Sequence, residues 1–321
     1  MLEIAVLVIC VVLLAVRWRL QQMTIGYYDG RHVLITGCDS GFGKLLALRL
    51  VEMGYSVFAG CLTEEGLNEL KQSSSKRLKT ILLDVTKTDS IVKAVEFVES
   101  ALPEGKGLWG LVNNAGVMGP SGHIQWLSAE DYQPPLQVNM LGMVETTRLF
   151  LPLLIKEKGR IVNMTSTMGR VAACSAPYCA SKFAAEGYSD ILRRSISRSG
   201  VSVHILEPGF FRTNLTEFSQ FSDNVEQSFE KQSESVKEYY GVQYKNDLIR
   251  KGSSNWKRCS KRTDVVIDAY VHALSARFPR YRYVIGWDAN FLFRFLWTTP
   301  EWIVDPILAM QAPVPSGEKS S

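Results

Sequence analysis

The sequence lacks the spacings that turn cysteines and histidines into metal sites or disulfide frameworks. Its six cysteines, Cys10, Cys38, Cys61, Cys174, Cys179 and Cys259, make no such pattern, and the four histidines, His32, His123, His204 and His272, are scattered. Small reduced core residues are therefore the plain reading of the cysteines, and no metal is expected. Charge of one sign is also scarce: a net charge of +4 is too small to argue for a nucleic-acid partner. No internal repeat and no long low-complexity segment is present. What remains is ordinary for a globular fold, with 46% apolar and 21% charged residues. A length of 321 residues suits one α/β domain at the large end of the usual range.

One long apolar run stands out. Residues 1–16 are apolar except for Glu3, and Arg17-Trp18-Arg19 follow at once. A full span needs about 20 apolar residues, so this one is short unless Trp18 and Leu20 help at the interface. A cleaved signal peptide would need a positive start and a small-residue cleavage site. Neither is present, so a retained membrane anchor over residues 1–20, with Cys10 inside the bilayer, is the favoured reading. Arg17 and Arg19 on its C-terminal flank place the rest of the chain on the cytosolic face. Asn163-Met164-Thr165 and Asn214-Leu215-Thr216 fit the glycosylation pattern. The first falls on an expected core strand, and the second matters only in a lumenal protein.

Beyond the anchor, strand and helix patterns alternate. Strands are expected near residues 32–36, 55–60, 78–83, 108–113, 159–165, 201–206 and 281–285. Helices are expected near 42–53, 64–71, 88–101, 135–157, 177–198 and 263–277. Such alternation predicts a doubly wound parallel sheet of the Rossmann type in a single domain, with ligands beyond the carboxyl ends of the strands. The chemistry-bearing residues lie at those ends. Val33-Leu34-Ile35 reads as a buried strand, Gly37, Gly41 and Gly43 follow, and a helix pattern opens there. This is the strand–turn–helix context of a dinucleotide fingerprint, although the spacing is Gly-x-x-x-Gly-x-Gly. Farther on, Tyr178 and Lys182 stand four apart and share one helix face. A lysine ammonium beside a phenol favours the phenolate and fits the phenol for proton exchange with an alcohol.

Further pieces fall in order: Asp84 after Ile81-Leu82-Leu83, Asn113-Asn114-Ala115-Gly116, Val138-Asn139-Met140, Ser166 after Ile161-Val162-Asn163-Met164, and Pro208-Gly209 with Thr213. Over residues 30–290 the chain resembles the short-chain dehydrogenase/reductase family. It is similar to that family's membrane-bound branch of retinol and 3α(17β)-hydroxysteroid dehydrogenases. The likeness rests on residues 35–43, Cys61-Leu62-Thr63-Glu64, residues 82–86, Glu207-Pro208-Gly209-Phe210-Phe211-Arg212-Thr213 and Gly286-Trp287-Asp288-Ala289.

The resemblance implies the following roles. Tyr178 is the general acid/base, and Lys182 lowers its pKa and holds the nicotinamide ribose. Ser166 binds the substrate oxygen, although it stands twelve residues before Tyr178 where many members have thirteen, and Thr165 and Thr167 flank it. Asn139 links Lys182 to a water chain, its rival reading being a structural amide. Gly37, Ser40, Gly41, Phe42 and Gly43 line the pyrophosphate and adenosine ribose, and Asp84 and Val85 meet the adenine. Asn113, Ala115 and Gly116 border the adenine ribose, unless Asn113 and Asn114 only stitch strands together. Pro208, Gly209 and Thr213 hold the carboxamide side. Cys38, Cys61 and Cys179 fall near the cofactor or the catalytic helix. NAD is preferred over NADP, because the stretch Ala59 to Glu65 holds two carboxylates and no cation. Cys174-Ser175-Ala176-Pro177 departs from the glycines that relatives carry before the catalytic tyrosine, which bears on fine substrate preference.

Residues 214–262 are polar and end in a basic run of Arg250, Lys251, Lys257, Arg258, Lys261 and Arg262. By resemblance the stretch is the substrate lid. Read by itself, the run is a solvated loop or a contact with anionic lipid. Residues 291–310 are rich in Phe, Trp and Leu but are interrupted by Pro300 and Pro306, so they form an interfacial segment or pack on the domain. Residues 291–321 thus make a hydrophobic C-terminal segment and tail, with Pro313 to Ser321 expected to be disordered. The expectation is a membrane-anchored, endoplasmic-reticulum alcohol dehydrogenase taking a lipophilic small-molecule alcohol. A homodimer is among the assemblies the resemblance allows. The rivals are an NADP-dependent carbonyl reductase, a non-catalytic nucleotide-binding scaffold and a membrane-surface adaptor.

Overall fold

The strand patterns fold as seven parallel strands: His32–Thr36 (β1), Ser56–Cys61 (β2), Leu78–Leu82 (β3), Gly110–Asn113 (β4), Arg160–Met164 (β5), Ser202–Pro208 (β6) and Arg282–Ile285 (β7). The structure, a computed structural model, describes residues 2–72, 75–310 and 312–318. Met1 of the expected anchor, the side chain of Glu3 and residues 319–321 of the expected tail lie outside the described residues. The helices are Leu2–Gln21 (α1), Gly41–Glu52 (α2), Glu64–Lys71 (α3), Thr88–Ala101 (α4), Ala129–Leu136 (α5), Met143–Glu157 (α6) and Ala176–Ser195 (α7). Phe218–Glu230 (α8), Glu234–Arg258 (α9), Asp264–Ser275 (α10), Arg294–Thr298 (α11) and Glu301–Ala309 (α12) follow.

The sheet order is β3-β2-β1-β4-β5-β6-β7. The order reverses between β1 and β4, and a crevice opens there beyond the carboxyl ends. All five residues of β1 are buried. Val33 and Ile35 point to one face, where Leu46 and Leu50 of α2 and Tyr270 and Leu274 of α10 cover them. Leu34 points to the other, where Ile91 and Val98 of α4, Phe150 and Leu154 of α6 and Leu192 of α7 pack. Each such apolar side chain contributes about 1.5–3 kcal/mol by leaving water. This two-sided burial holds the strand ends still, and the site is built on those ends.

Three segments differ from expectation. The helix expected from residue 135 begins at Ala129, because Ser128 and Asp131 form a reciprocal cap. A wide turn over Gln137–Gly142 then joins α5 to α6. The stretch expected as a solvated loop or lid holds two helices, α8 and α9, the second bent at Gly241 with φ +78°. Their inner faces bury Val225, Phe229, Tyr240 and Tyr244 against Trp126, which offsets the polar composition. The tail expected to be disordered is docked at Ser316–Glu318: the Tyr239 hydroxyl donates to Glu318 at 3.3 Å, and Gly317 lies on the Tyr239 ring.

The C-terminal aromatic segment divides its residues between both expected readings. Phe293, Leu296 and Val304 pack inward, while Trp287, Phe291, Phe295 and Trp302 are exposed. Helix α1 is long and apolar enough to cross a membrane, with a mean hydropathy of 2.1 over Ile4–Gln21 and none of that window buried. It joins the domain at the amino ends of the strands, away from the crevice. There the Ile25 amide donates to Ser275 O at 2.8 Å and Arg280 donates to Gln21 Oε1 at 3.1 Å.

Candidate active site

The crevice is a cavity of about 590 Å³ walled by the ends of β1, β4, β5 and β6. Behind its floor lies Thr36, whose hydroxyl oxygen accepts the Asn114 and Ala115 amides at 3.1 and 3.0 Å. Gly37 turns the chain with φ +69°, and a Cβ there would lie 2.8 Å from Ala115 Cα. Only glycine suits both the turn and that approach. Gly43 instead faces away from the cavity. A Cβ on it would run into the Gly37 carbonyl and come within 2.6 Å of Asn114 Nδ2, so it sets how closely α2 meets the sheet. Ser40 stands at the N-cap of α2, yet its side chain accepts no hydrogen bond from the first turn. The amide donors of that turn therefore lack a side-chain cap, and Ser40, Gly41 and Phe42 line the cavity.

Asp39, which the sequence reading did not single out, also lines this end. Its carboxylate accepts the Leu62 amide at 2.9 Å, the Thr63 amide at 2.9 Å and the Thr63 hydroxyl at 2.7 Å. It thereby joins the glycine turn to the end of β2. The stretch Ala59 to Glu65 contributes Leu62 to the wall, while Glu64 and Glu65 are not part of it. Asp84 and Val85 are on the wall, with Asp84 held by Thr86 at 2.6 Å and by Lys87 at 3.1 Å.

At the other end stand Ser166, Tyr178 and Lys182. Strand β5 delivers Ser166, and Pro177 in the first turn of α7 sets the start of the helix bearing the other two. Of the flanking hydroxyls, Thr165 donates to Leu206 O at 2.8 Å and Thr167 to Pro208 O at 3.3 Å. Ser166 is the one that acts on the Tyr178 phenol, whose pKa it lowers; its own hydroxyl donates to Pro208 O at 3.4 Å and accepts the Met168 amide at 3.1 Å. Lys182 is 2% exposed and donates to Met164 O at 3.0 Å. Its ammonium lies 5.7 Å from the centre of the Tyr178 ring. Pro208, Gly209 and Thr213 close the wall above β6. Asp288 fixes that end by accepting the Phe210 amide at 2.7 Å.

The electrostatics differ from the sequence expectation. Burial pushes the Tyr178 phenol up, the neighbouring Cys174 and Cys179 thiols add to this, and the Ser166 hydroxyl opposes it. Burial also pushes Lys182 down, to about 8, against the pull of Glu186. Desolvation thus outweighs the lysine's influence on the phenol, because both groups are out of water and the ammonium points at a carbonyl.

Gly43, Asn113 and Asn139 are not on the wall. The Asn113 amide donates to Thr147 at 2.9 Å and to Asn163 at 2.9 Å, which ties β4 to β5 and to α6. Asn114 stitches as well, donating to Thr36 O and Gly37 O at 3.0 Å, but it does reach the cavity. Asn139 sits behind Gly116. It accepts the Val117 amide at 2.8 Å and donates to Val117 O at 2.9 Å and to Ser181 at 2.8 Å. Its amide nitrogen is fully engaged, and its oxygen lies 3.2 Å from where a Gly116 Cβ would be.

A second, mainly apolar cavity of about 280 Å³ adjoins the first, and both share Met118, Phe210, Leu215 and Asn224. Phe218 and Phe221 of α8 and Leu248 and Trp256 of α9 line it. Cys174 borders it, with its sulfur 3.3 Å from that of Cys179. The departing loop before Tyr178 is tied down by Ser175, which donates to Pro120 O at 2.7 Å. Sequence reading missed this apolar wall, although Phe218, Phe221, Val225 and Phe229 recur at helical spacing.

The pattern that describes short chain dehydrogenases matches residues 31–223. The chain is 44% identical over 291 residues to retinol dehydrogenase 16 of Mus musculus, covering 91% of each chain. It is 42% identical over 300 residues to 17-beta-hydroxysteroid dehydrogenase type 6 of Mus musculus, covering 94% of each. Among solved structures, a short chain dehydrogenase from Burkholderia cenocepacia in complex with NADP superposes with a TM-score of 0.66 at 22% identity, over 87% of this chain and 98% of that one. A Burkholderia phymatum short chain dehydrogenase/reductase in complex with NAD gives 0.67 at 22% identity, over 84% and 93%. These two likenesses concern the fold.

Proposed function

The chain belongs to the short chain dehydrogenase family and is an oxidoreductase that interconverts alcohols and carbonyls; on that premise we propose that it oxidises a lipophilic alcohol, retinol or a 3α/17β-hydroxysteroid, with NAD. The observation that carries this reading is that Ser166, Tyr178 and Lys182 stand together on one wall, where the larger cleft meets the apolar cavity. The names of the relatives support the substrate class.

The residues of the larger cleft fit a nicotinamide dinucleotide. The amide donors of the first α2 turn suit a pyrophosphate, and Gly37 and Gly41 allow its close approach. Lys182 is the only cation among the described residues of the wall, which also carries Asp39 and Asp84. A 2′-phosphate calls for a nearby Arg or Lys, so this wall favours NAD. When bound, the nicotinamide supplies the hydride acceptor for oxidation and the donor for reduction.

The protein's own groups handle the proton. The Tyr178 oxygen takes the alcohol proton in oxidation and returns it in reduction. The Ser166 hydroxyl donates to the substrate oxygen and stabilises its developing charge. Lys182, kept at the Met164 carbonyl, favours the phenolate against the burial that raises it, and offers donors to a ribose. Asn139 is a positioning residue that fixes Val117 and Ser181 around Lys182. Phe218, Phe221 and Trp256 enclose the apolar body of the alcohol. Helix α1 and the exposed Trp287, Phe291 and Trp302 suit a substrate drawn from a membrane, for which we take the endoplasmic reticulum, cytosolic face.

Turnover of all-trans-retinol and of androstanediol by the purified full chain, with NAD and with NADP, tests this. NAD-dependent oxidation of at least one is expected. Failure to oxidise either overturns the substrate assignment, and faster turnover with NADP overturns the coenzyme assignment.

A further inference from the structure

A cavity of about 700 Å³ lies at the opposite end of the sheet from the active site, between α1 and the amino ends of β5 and β6. Its wall includes Arg17, Lys158, Arg277 and Arg280 and no Asp or Glu among the described residues. None of these four cations forms an ion pair with a carboxylate among the described residues. The fifth cation of the wall, Arg160, is spent on Ala273 O at 2.7 Å and Ala276 O at 2.6 Å. Elsewhere on the molecule some basic side chains find carboxylates, as Arg250 does in Asp247 and Arg262 in Asp264. Four cations without a carboxylate partner around one hollow therefore define a place that favours an anion.

Three observations say what kind of anion. The first is position: Arg17 stands just after the apolar run of α1, at the depth where a spanning helix meets the headgroups. The second is the neighbouring wall, since Leu13, Val16 and Leu20 of α1 line the same cavity and run on into the segment apolar enough to sit in a bilayer. An occupant thus meets cations at one end and hydrocarbon at the other. The third is strain. Lys158 ends α6 with φ +50°, the only positive φ outside glycine among the described residues, and its stem packs over Gly200 beside the cavity. A left-handed lysine where glycine or asparagine is usual is held there at a cost in backbone energy.

We propose that this basic cavity binds the headgroup of an anionic phospholipid, whose acyl chains lie along α1. The site sits beside the anchor and faces the leaflet in which anionic lipids concentrate, so it orients the domain on the cytosolic surface. It uses no residue of the cleft and stands or falls apart from the dehydrogenase reading.

The test is thermal unfolding of the full chain in neutral detergent micelles, with three additives at equal concentration. Dioctanoyl phosphatidylserine is expected to raise the melting temperature by several degrees, while dioctanoyl phosphatidylcholine and inorganic phosphate leave it in place. An equal rise with phosphatidylcholine overturns the role of charge. An equal rise with phosphate alone overturns the lipid as the source. The double substitution Lys158→Gly with Arg277→Gln is expected to weaken phosphatidylserine binding roughly 25-fold, about fivefold per cation. Glycine relieves the positive φ at 158, so the variant keeps its fold and its turnover. Phosphatidylserine binding equal to wild type in this variant overturns the proposal.

Discussion

The two adjoining cavities of the active site are built in different ways. The larger cleft is made by strand ends and backbone: a Thr36 hydroxyl bridging two amides, a left-handed Gly37, a helix N-terminus without a side-chain cap. Its neighbour is walled mainly by apolar side chains, foremost Phe218, Phe221, Leu248 and Trp256 on two helices that lie outside the sheet. Backbone geometry tolerates few residue types, whereas an apolar wall accepts any set of similar volume. The first cavity is thus fixed in its chemistry and the second is adjustable in its shape. Rate should belong to one and selectivity to the other.

Substitutions can break or sharpen that division. The largest effect is expected for Tyr178→Phe, which keeps the ring and removes the proton carrier. Turnover should fall about 10²–10⁴-fold, with coenzyme affinity within a factor of about two of wild type when followed by fluorescence titration. A smaller and opposite pattern is expected for Phe221→Ala in the apolar wall. The KM for a bulky alcohol should rise about tenfold, as befits partial loss of one aromatic contact, while kcat stays near wild type. A change of kcat alone in that variant would dissolve the distinction between the cavities.

The smallest effect lies behind the cleft. Arg282 is shared by Glu186, Glu207 and Asp190, the last at 3.0 Å. Burial and the nearby Glu186 push Glu207 up to about 7, against the opposing Arg282 and Arg170. A carboxyl whose folded pKa exceeds its unfolded value of 4.5 binds more protons in the folded state. Its contribution to stability therefore declines as pH rises from about 4.5 to 7. Glu207→Gln removes that decline and leaves Arg282 paired with Glu186 and Asp190. The melting temperature of the variant relative to wild type should become more positive from pH 5 to pH 8, as scanning calorimetry would record.

Legibility in the sequence followed the same division. The seven strands, the glycine turn and the Tyr178–Lys182 pair were readable because period, turn chemistry and spacing each permit few alternatives. Ser166 was readable too, but only the structure separates it from Thr165 and Thr167: of the three hydroxyls it alone acts on the Tyr178 phenol. Asp39 escaped notice because its meaning lies in a contact with Leu62 and Thr63, across a strand crossover that the local sequence does not display. The α8 and α9 helices were hidden by polar outer faces, despite aromatic residues at helical spacing inside. The charge balance at Tyr178 was misjudged for a related reason. Spacing reveals that a lysine is near, but not that both groups are buried and that the ammonium faces Met164 O.

The rate of alcohol oxidation against pH tests the central assignment most directly. With the phenol raised by burial, its base form is scarce at neutral pH. The logarithm of kcat/KM for oxidation by the purified full chain with NAD should then climb with a slope near one from pH 6 to pH 9, while carbonyl reduction shows no such rise. A flat oxidation profile across that range, or the same slope in the residual activity of Tyr178→Phe, would contradict the account.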